Sequence, residues 1–174
     1  PKGISYGTSG AGGTPHIAGE LLKQKTGANL VHVPYKGGGQ ALLDLLGGNI
    51  PLVYTAVAGA NQYVATGRIK AIAVSSAKRS PSMPDVPTFI ESGVKDFVID
   101  DWVGLLAPAK TPKPIINKLN QALNEILNSP EGKAKLLSMG IFPSPGTPEK
   151  FGEQIKADLV RFAPIVKAAQ IKAE

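Results

Sequence analysis

The sequence predicts an α/β protein with a parallel sheet, built as one complete domain followed by part of a second. Three observations carry this expectation. A strand, a glycine-rich loop and a helix succeed one another twice within the first 50 residues, the pattern of parallel strands joined by crossover helices. "RIKAIAVSS", Arg68 to Ser75, has the continuous apolar centre of a strand buried on both faces. Beyond Phe97, three helical segments carry more apolar surface than the short extended runs among them can cover.

In chain order, Gly3 to Thr8 reads as a strand. Pro15 to Lys25 reads as an amphipathic helix with Ile17, Ala18, Leu21 and Leu22 on its buried side and Gly27 just past its end. "NLVHVPY", Asn29 to Tyr35, is a second strand, Lys36 to Gly39 a second glycine loop, and Gln40 to Leu46 a short helix that Gly47 and Gly48 stop. "IPLVYTAVAGA" supplies a third strand, Asn61 to Thr66 a short helix, and Arg68 to Ser75 the fourth strand. Ala77 to Pro87 holds three prolines without periodicity and reads as a surface loop. From Phe97 onward "DFVIDDWVGLLAPAKTP" gives extended segments, and Thr111 with Pro112 caps a long helix bearing Ile115, Ile116, Leu119, Leu123, Ile126 and Leu127. Another helix starts at Ser129 and Pro130. The last starts at Thr147 and Pro148 and carries Phe151, Ile155, Leu159, Phe162, Ile165 and Val166, and "GIFPSPGTP" between them offers one short strand.

A parallel sheet puts both glycine loops at the carboxyl ends of strands on one edge, where ligands bind in open α/β folds. The first loop lies in "YGTSGAGGTPH", Tyr6 to His16. It is a near miss to both familiar phosphate motifs. Gly13 stands where a P-loop has lysine; Pro15 stands at the third glycine of a dinucleotide loop, and Asn29 replaces the acid that meets a ribose. What remains is a backbone argument. Gly10, Gly12 and Gly13 let the chain turn and approach a ligand without a Cβ in the way. Thr14 suits an N-cap and Pro15 a first helical position, so helix N–H groups and the positive dipole end point into the loop. Two readings stand at this point: a site for a small anion such as a carboxylate, or a tight strand-to-helix turn that binds nothing.

Composition narrows the chemistry. At 174 residues and 43% hydrophobic the chain can bury a core. Its formal charge of +6 and pI near 9.5 favour anionic ligands. The basic residues are dispersed and aromatics few, which argues against a nucleic-acid surface. With no cysteine there is no disulfide, thiolate ligand or catalytic thiol. Two histidines, with Asp100 and Asp101 as the one small acidic pair considered, make too slight a set for a metal site, and no cofactor is expected. Ser9 lacks the frame of a nucleophile elbow, and His16 and His32 are the sole candidate bases, so a binding protein is expected rather than an enzyme. The alternatives are a hydrolase or nucleotide-handling enzyme built on the glycine loop, or a carboxylate-sensing module without transport. No apolar run is long enough to span a bilayer. A chain opening on "PKGISYGTSG" without Met reads as an excised mature segment or a fragment.

Five segments in order, "YGTSGAGGTPHIAGELLKQKTG", "HVPYKGGGQALLDLLGGNI", "GRIKAIAVSSAKRSPSMPDVPTFIESG", "WVGLLAPAKTP" and "LNQALNEIL", give a family resemblance. Over nearly its whole length the chain resembles the periplasmic solute receptors of tripartite tricarboxylate transporters, the Bug or TctC-like receptors. The resemblance implies a type II periplasmic binding protein fold that lacks its N-terminal part. Residues 1–97 would be the second, ligand-loop domain, and residues 98–174 the returning part of the first. It further implies a periplasmic location, membrane permease subunits as partners, and a small organic acid held in the cleft between domains. Thr8, Ser9, Gly10, Ala11, Gly12, Gly13 and Thr14 would offer N–H and hydroxyl groups to a carboxylate, and Tyr35, Lys36, Gly37 and Gly38 would line the second loop. For Lys36 the alternative is a side chain in solvent. His16 either donates to the ligand or caps the first helical turn. His32 reads as a core or surface histidine. Asp101 and Trp102 lie where the chain re-enters the first domain, Asp101 facing the cleft and Trp102 either there or in the core.

The apolar faces of the helices near Pro112 and Pro148 yield a first prediction. Each presents five or six large apolar residues, worth roughly 1.5 to 3 kcal/mol per buried side chain, and exposed patches of that size are rare in soluble monomers. The isolated chain is expected to self-associate or to cover them against another surface. Light scattering checks this: a compact stable monomer with both faces in solvent contradicts it.

Overall fold

The computed structural model describes residues 3–172. The chain divides into two compact units, Pro1–Asp101 with Phe162–Glu174, and Trp102–Arg161. The first is an α/β unit around a three-stranded parallel sheet in the order β2-β1-β3, with β1 Ile4–Thr8, β2 Leu30–Pro34 and β3 Leu52–Val53. Helices α1 (Thr14–Thr26), α2 (Gly38–Leu46) and α3 (Val57–Ala65) follow the three strands in turn. Register pairs Ile4 with Leu30 through Thr8 with Pro34, so β1 and β2 finish level. Both glycine loops therefore leave the sheet at one edge.

The apolar stripe of α1 goes where its spacing sends it. Ala18 is fully buried with Phe97 and Ile99, and Leu21, Leu22, Tyr54, Phe89, Val94 and Phe162 pack around them. Gly27 ends the helix with φ of 69°, its N–H closing on the Lys23 carbonyl at 2.9 Å, a left-handed stop that glycine makes without strain. A second cluster joins Val74, Met83 and Val86 to Val57, Ala60, Val64 and Ala71.

Several expectations are corrected. Arg68–Ser75 is not a strand: it makes an isolated parallel bridge, Val74 to Thr88, and Ile72 is 65% exposed. The Val74 N–H reaches the Pro87 carbonyl and Val74 accepts from Phe89, but Pro87 itself has no N–H with which to extend a ladder. The stretch from Ala77 to Pro87 is irregular yet not all at the surface, since Ser80, Met83 and Val86 are buried. The third strand is only two residues long, because the small residues after Thr55 enter α3 by Val57.

The second unit contains α4 (Lys113–Asn128), α5 (Pro130–Ser138) and the first part of α6 (Pro148–Ala168). The strands expected after Phe97 and near Pro143 are absent among the described residues. Val103, Leu105 and Leu106 are instead 73% or more exposed, extended runs with no neighbouring strand to pair with. Thr111 does not cap α4, whose N-cap is Pro112. Ser129 does cap α5, accepting from the Gly132 N–H at 3.0 Å. Leu159, expected on the buried face of α6, is exposed, while the neighbouring Asp158 is buried and accepts from Trp102 Nε1 at 2.8 Å.

Two helix glycines offer a paired test. A Cβ on Gly19 would collide with the ring of Tyr6, which is 3% exposed and cannot swing clear; one on Gly39 would meet nothing. Gly19→Ala should cost about 1 to 3 kcal/mol by overpacking, and Gly39→Ala should gain about 0.4 to 1 kcal/mol. Urea unfolding reads both, and equal effects would contradict the packing described.

Candidate functional site

Thr8, the last residue of β1, is fully buried. Its hydroxyl donates to the Gly10 carbonyl at 2.9 Å and accepts from the Gly10 N–H at 3.3 Å. His32 Nε2 lies 2.6 Å from the same oxygen. Because the hydroxyl has one hydrogen and spends it on Gly10, His32 donates here through Nε2–H. The first glycine loop is thus tied from below to the middle of β2.

His16 ties the loop from the helix side. The Gly12 N–H donates to His16 Nδ1 at 3.1 Å, which requires Nδ1 to be unprotonated and the ring's hydrogen to sit on Nε2. That Nε2 faces Glu20 Oε1 at 4.0 Å. The two imidazoles stack with centroids 3.6 Å apart and planes 14° from parallel. Glu20 is itself buried, held by Lys23 Nζ at 2.9 Å and by the Tyr6 hydroxyl at 3.4 Å.

These contacts set the ionisation. Burial pushes the His32 pKa down to about 4, with the charge of a protonated His16 adding to the effect. His16 is also lowered by burial, against the opposing pull of Glu20. Burial drives Tyr6 well above the usual phenol range, and the Glu20 carboxylate adds to it.

The loop's backbone explains its glycines. Gly10 and Gly12 have φ of 150° and 76°, conformations a β-branched residue resists. Gly13, not Thr14, is the N-cap of α1, and Thr14 is its first helical residue. The reason is that the Gly13 carbonyl already accepts from His16 and Ile17, which starts the helix one residue early. No side chain caps α1 or α2, and neither has an acidic residue in its first turn.

The structure brings the second loop alongside. The Tyr35 N–H donates to the Thr8 carbonyl at 3.1 Å, and a Cβ on Gly10 would lie 3.8 Å from the Tyr35 carbonyl. The Tyr35 hydroxyl turns to Asp44 at 2.7 Å, and that bond raises its pKa. Lys36 is exposed, and Gly37, with φ of 141°, is the N-cap of α2. A Cβ on Gly38 would sit 3.1 Å from the Thr55 hydroxyl, so the turn after β3 joins the same edge. Ser9 and Ala11 complete the first loop. Asp101 lies in an exposed irregular stretch, near enough to Tyr54 that its charge and that of Asp100 add to the effect of burial in raising the tyrosine pKa. Thr55, Tyr6, Glu20 and the loop-holding role of His32 escaped the sequence reading. The apolar period of α1 hid Glu20, and alternation along β2 gives no sign of what His32 touches. No group of metal-ligating side chains occurs among the described residues.

The tripartite tricarboxylate transporter family receptor (TctC) pattern matches residues 1–171. The chain belongs to this family. Its members are transporter receptors, binding proteins rather than enzymes. The chain is 35% identical over 169 residues, 95% of its length, to the UPF0065 protein in the TAR-I ttuE-ttuC' intergenic region of Agrobacterium vitis, and covers 49% of that protein. It thus spans about half the length of the curated relatives it matches. Among solved structures it superposes with a TM-score of 0.91 at 38% identity on one described as a periplasmic transporter, covering 99% of this chain and 57% of the other. R. palustris Rpa4515 with adipate gives a TM-score of 0.90 at 32% identity, over 98% of this chain and 57% of that one. No helix among the described residues is long and apolar enough to cross a membrane.

Stability of this receptor chain should depend on pH through His32. Its folded pKa lies below the value near 6.5 of an unfolded histidine, so the unfolded chain binds more protons between about pH 6.5 and pH 4. Stability is therefore full above that window and falls as the pH drops through it. His32→Asn should be less stable at neutral pH, from loss of the Thr8 contact, yet show a shallower acid slope. Urea midpoints against pH measure this, and parallel slopes would contradict it.

Proposed function

We propose that this chain is the ligand-loop portion of a periplasmic solute-binding receptor that captures a small carboxylate and presents it to the permease subunits of a tripartite tricarboxylate-type transporter. The observation that carries the reading is the placement of two glycine loops side by side at the carboxyl edge of one parallel sheet, each opening an uncapped helix. Uncapped first turns leave backbone N–H groups for an outside acceptor, and the missing acidic residues leave the positive dipole ends uncompensated. The adipate held by a structural neighbour of 32% identity fits that chemistry.

On this reading residues 1–97 form the ligand-loop domain and residues 98–174 belong with the other domain of the receptor. Thr8, Ser9, Gly10, Ala11, Gly12, Gly13 and Thr14 shape the first anion contact, with His16 behind them. Tyr35, Lys36, Gly37 and Gly38 shape the second, and Asp101 lies where the chain leaves the ligand-loop domain. One wall of a cleft binds poorly alone, so the 174-residue chain should hold adipate only at about millimolar affinity or weaker. Calorimetry checks this, and submicromolar binding would overturn the two-walled reading.

Gly12→Val tests the loop itself. Space is open at this position, the nearest atom to a new Cβ being Ile171 Cγ2 at 3.8 Å, so the effect comes from φ of 76° and costs about 1 to 3 kcal/mol locally. The variant should stay folded and lose adipate binding in the family-length receptor. Unchanged affinity would move the ligand away from this loop.

A further inference from the structure

We propose that His16 and His32 form a one-proton latch on the first glycine loop: a proton taken up at His16 Nδ1 frees the Gly12 N–H and tightens the loop's hold on a carboxylate, so that ligand and proton bind together. The inference deepens the carboxylate reading and rests on it for its ligand half.

Geometry makes the latch. The neutral His16 ring uses Nδ1 as an acceptor for the Gly12 N–H at 3.1 Å. A proton arriving from solvent can attach only at Nδ1, because Nε2 already carries the hydrogen, and two N–H groups cannot face each other there. Protonation therefore breaks the Gly12 contact and leaves that N–H for an outside acceptor. The new charge sits beside the loop and draws on Glu20, whose Oε1 lies 4.0 Å from Nε2.

The stack limits the uptake to one proton. With ring centroids 3.6 Å apart, two imidazolium rings would repel strongly, and His32 keeps its hydrogen on the Thr8 hydroxyl at 2.6 Å. The loop is consequently not released as a whole: Thr8 still holds Gly10 while Gly12 changes partner. The charged and titratable groups around the pair are Glu20 and Lys23 on α1 and Tyr6 on β1. Lys23 at 2.9 Å already offsets much of the Glu20 charge, so Glu20 does not protonate His16 outright at neutral pH. Burial works the same way, lowering both histidines. A carboxylate at the loop reverses the balance, and the proton follows it in.

Two measurements test the latch, the first on this chain and the second on the family-length receptor. The first needs no ligand: nitrogen–proton NMR from about pH 8 to pH 5 should show the Gly12 amide moving with the ring nitrogens of His16 at one shared midpoint. His16→Gln, which keeps an acceptor but cannot titrate, should hold the Gly12 amide still. A Gly12 resonance indifferent to His16 ionisation overturns the latch. The second is calorimetry with adipate in buffers of different ionisation enthalpy. Wild type should take up protons on binding and gain roughly two- to fivefold in affinity from about pH 8 to pH 6, while His16→Gln should do neither. Proton release, or affinity independent of pH, refutes the coupling. Absence of adipate binding at every pH refutes the carboxylate reading and the ligand half of this proposal together, and the amide titration alone then decides the latch.

Discussion

The buried Thr8 is the constraint on which the loop edge of the sheet depends. A hydroxyl with no access to water must find its partners inside the protein, and this one finds them in Gly10 and His32. The same residue closes the β1–β2 ladder, and its backbone carbonyl receives the N–H of Tyr35, where the second loop begins. One residue thus couples the pairing of two strands to the shape of both loops. A shift of register by one residue would turn His32 to the opposite face and cost the Thr8 hydroxyl its cross-strand partner, so polar satisfaction and sheet pairing enforce each other.

Glu20 is a buried acid nearly two turns into α1, close to a site read as anion-binding, and its charge is managed locally. Lys23 pairs with it at 2.9 Å, and Tyr6 donates from the sheet at 3.4 Å. The carboxylate is bonded within this network, while the two helix N-termini carry no acid of their own. Gly19 belongs to the same arrangement, since only a residue without a Cβ lets α1 lie close enough to the Tyr6 ring for that bond.

The parts of this structure legible in the sequence are those set by local pattern. Period and punctuation place β1, α1, β2 and α2 within a few residues, because Gly27 and Gly47 mark helix ends and the glycine runs separate strands from helices. The family was legible too, through five short segments in order. What pattern could not supply was partnership. Arg68–Ser75 has the composition of a buried strand, but a ladder needs a neighbour with N–H groups, and Pro87 lacks one. Thr14 has the composition of a cap, but Gly13 offers the first helical carbonyl instead. His32 and Glu20 meet through space from different elements, and nothing in their own neighbourhoods in sequence announces it.

The two loops differ in what they can offer a ligand, and the difference follows from the same contacts. In the first, Gly10 and Gly12 already spend their N–H groups on Thr8 and His16, Pro15 has none, and His16 closes on Gly13. Its shape is fixed, but few amides remain, chiefly those of Ser9, Ala11, Gly13 and Thr14. In the second, Gly37 to Gly39 enter α2 without a side-chain cap, and Tyr35 is drawn off to Asp44. That loop is less tied by side chains. A carboxylate bridging both would find orientation on the first, where geometry is held by buried bonds, and hydrogen bonds on the second, where backbone groups are available. On the proposed reading, rigid placement on one side and donor supply on the other would divide the work of recognising a small acid, and a proton at His16 would be an adjustable charge on the rigid side.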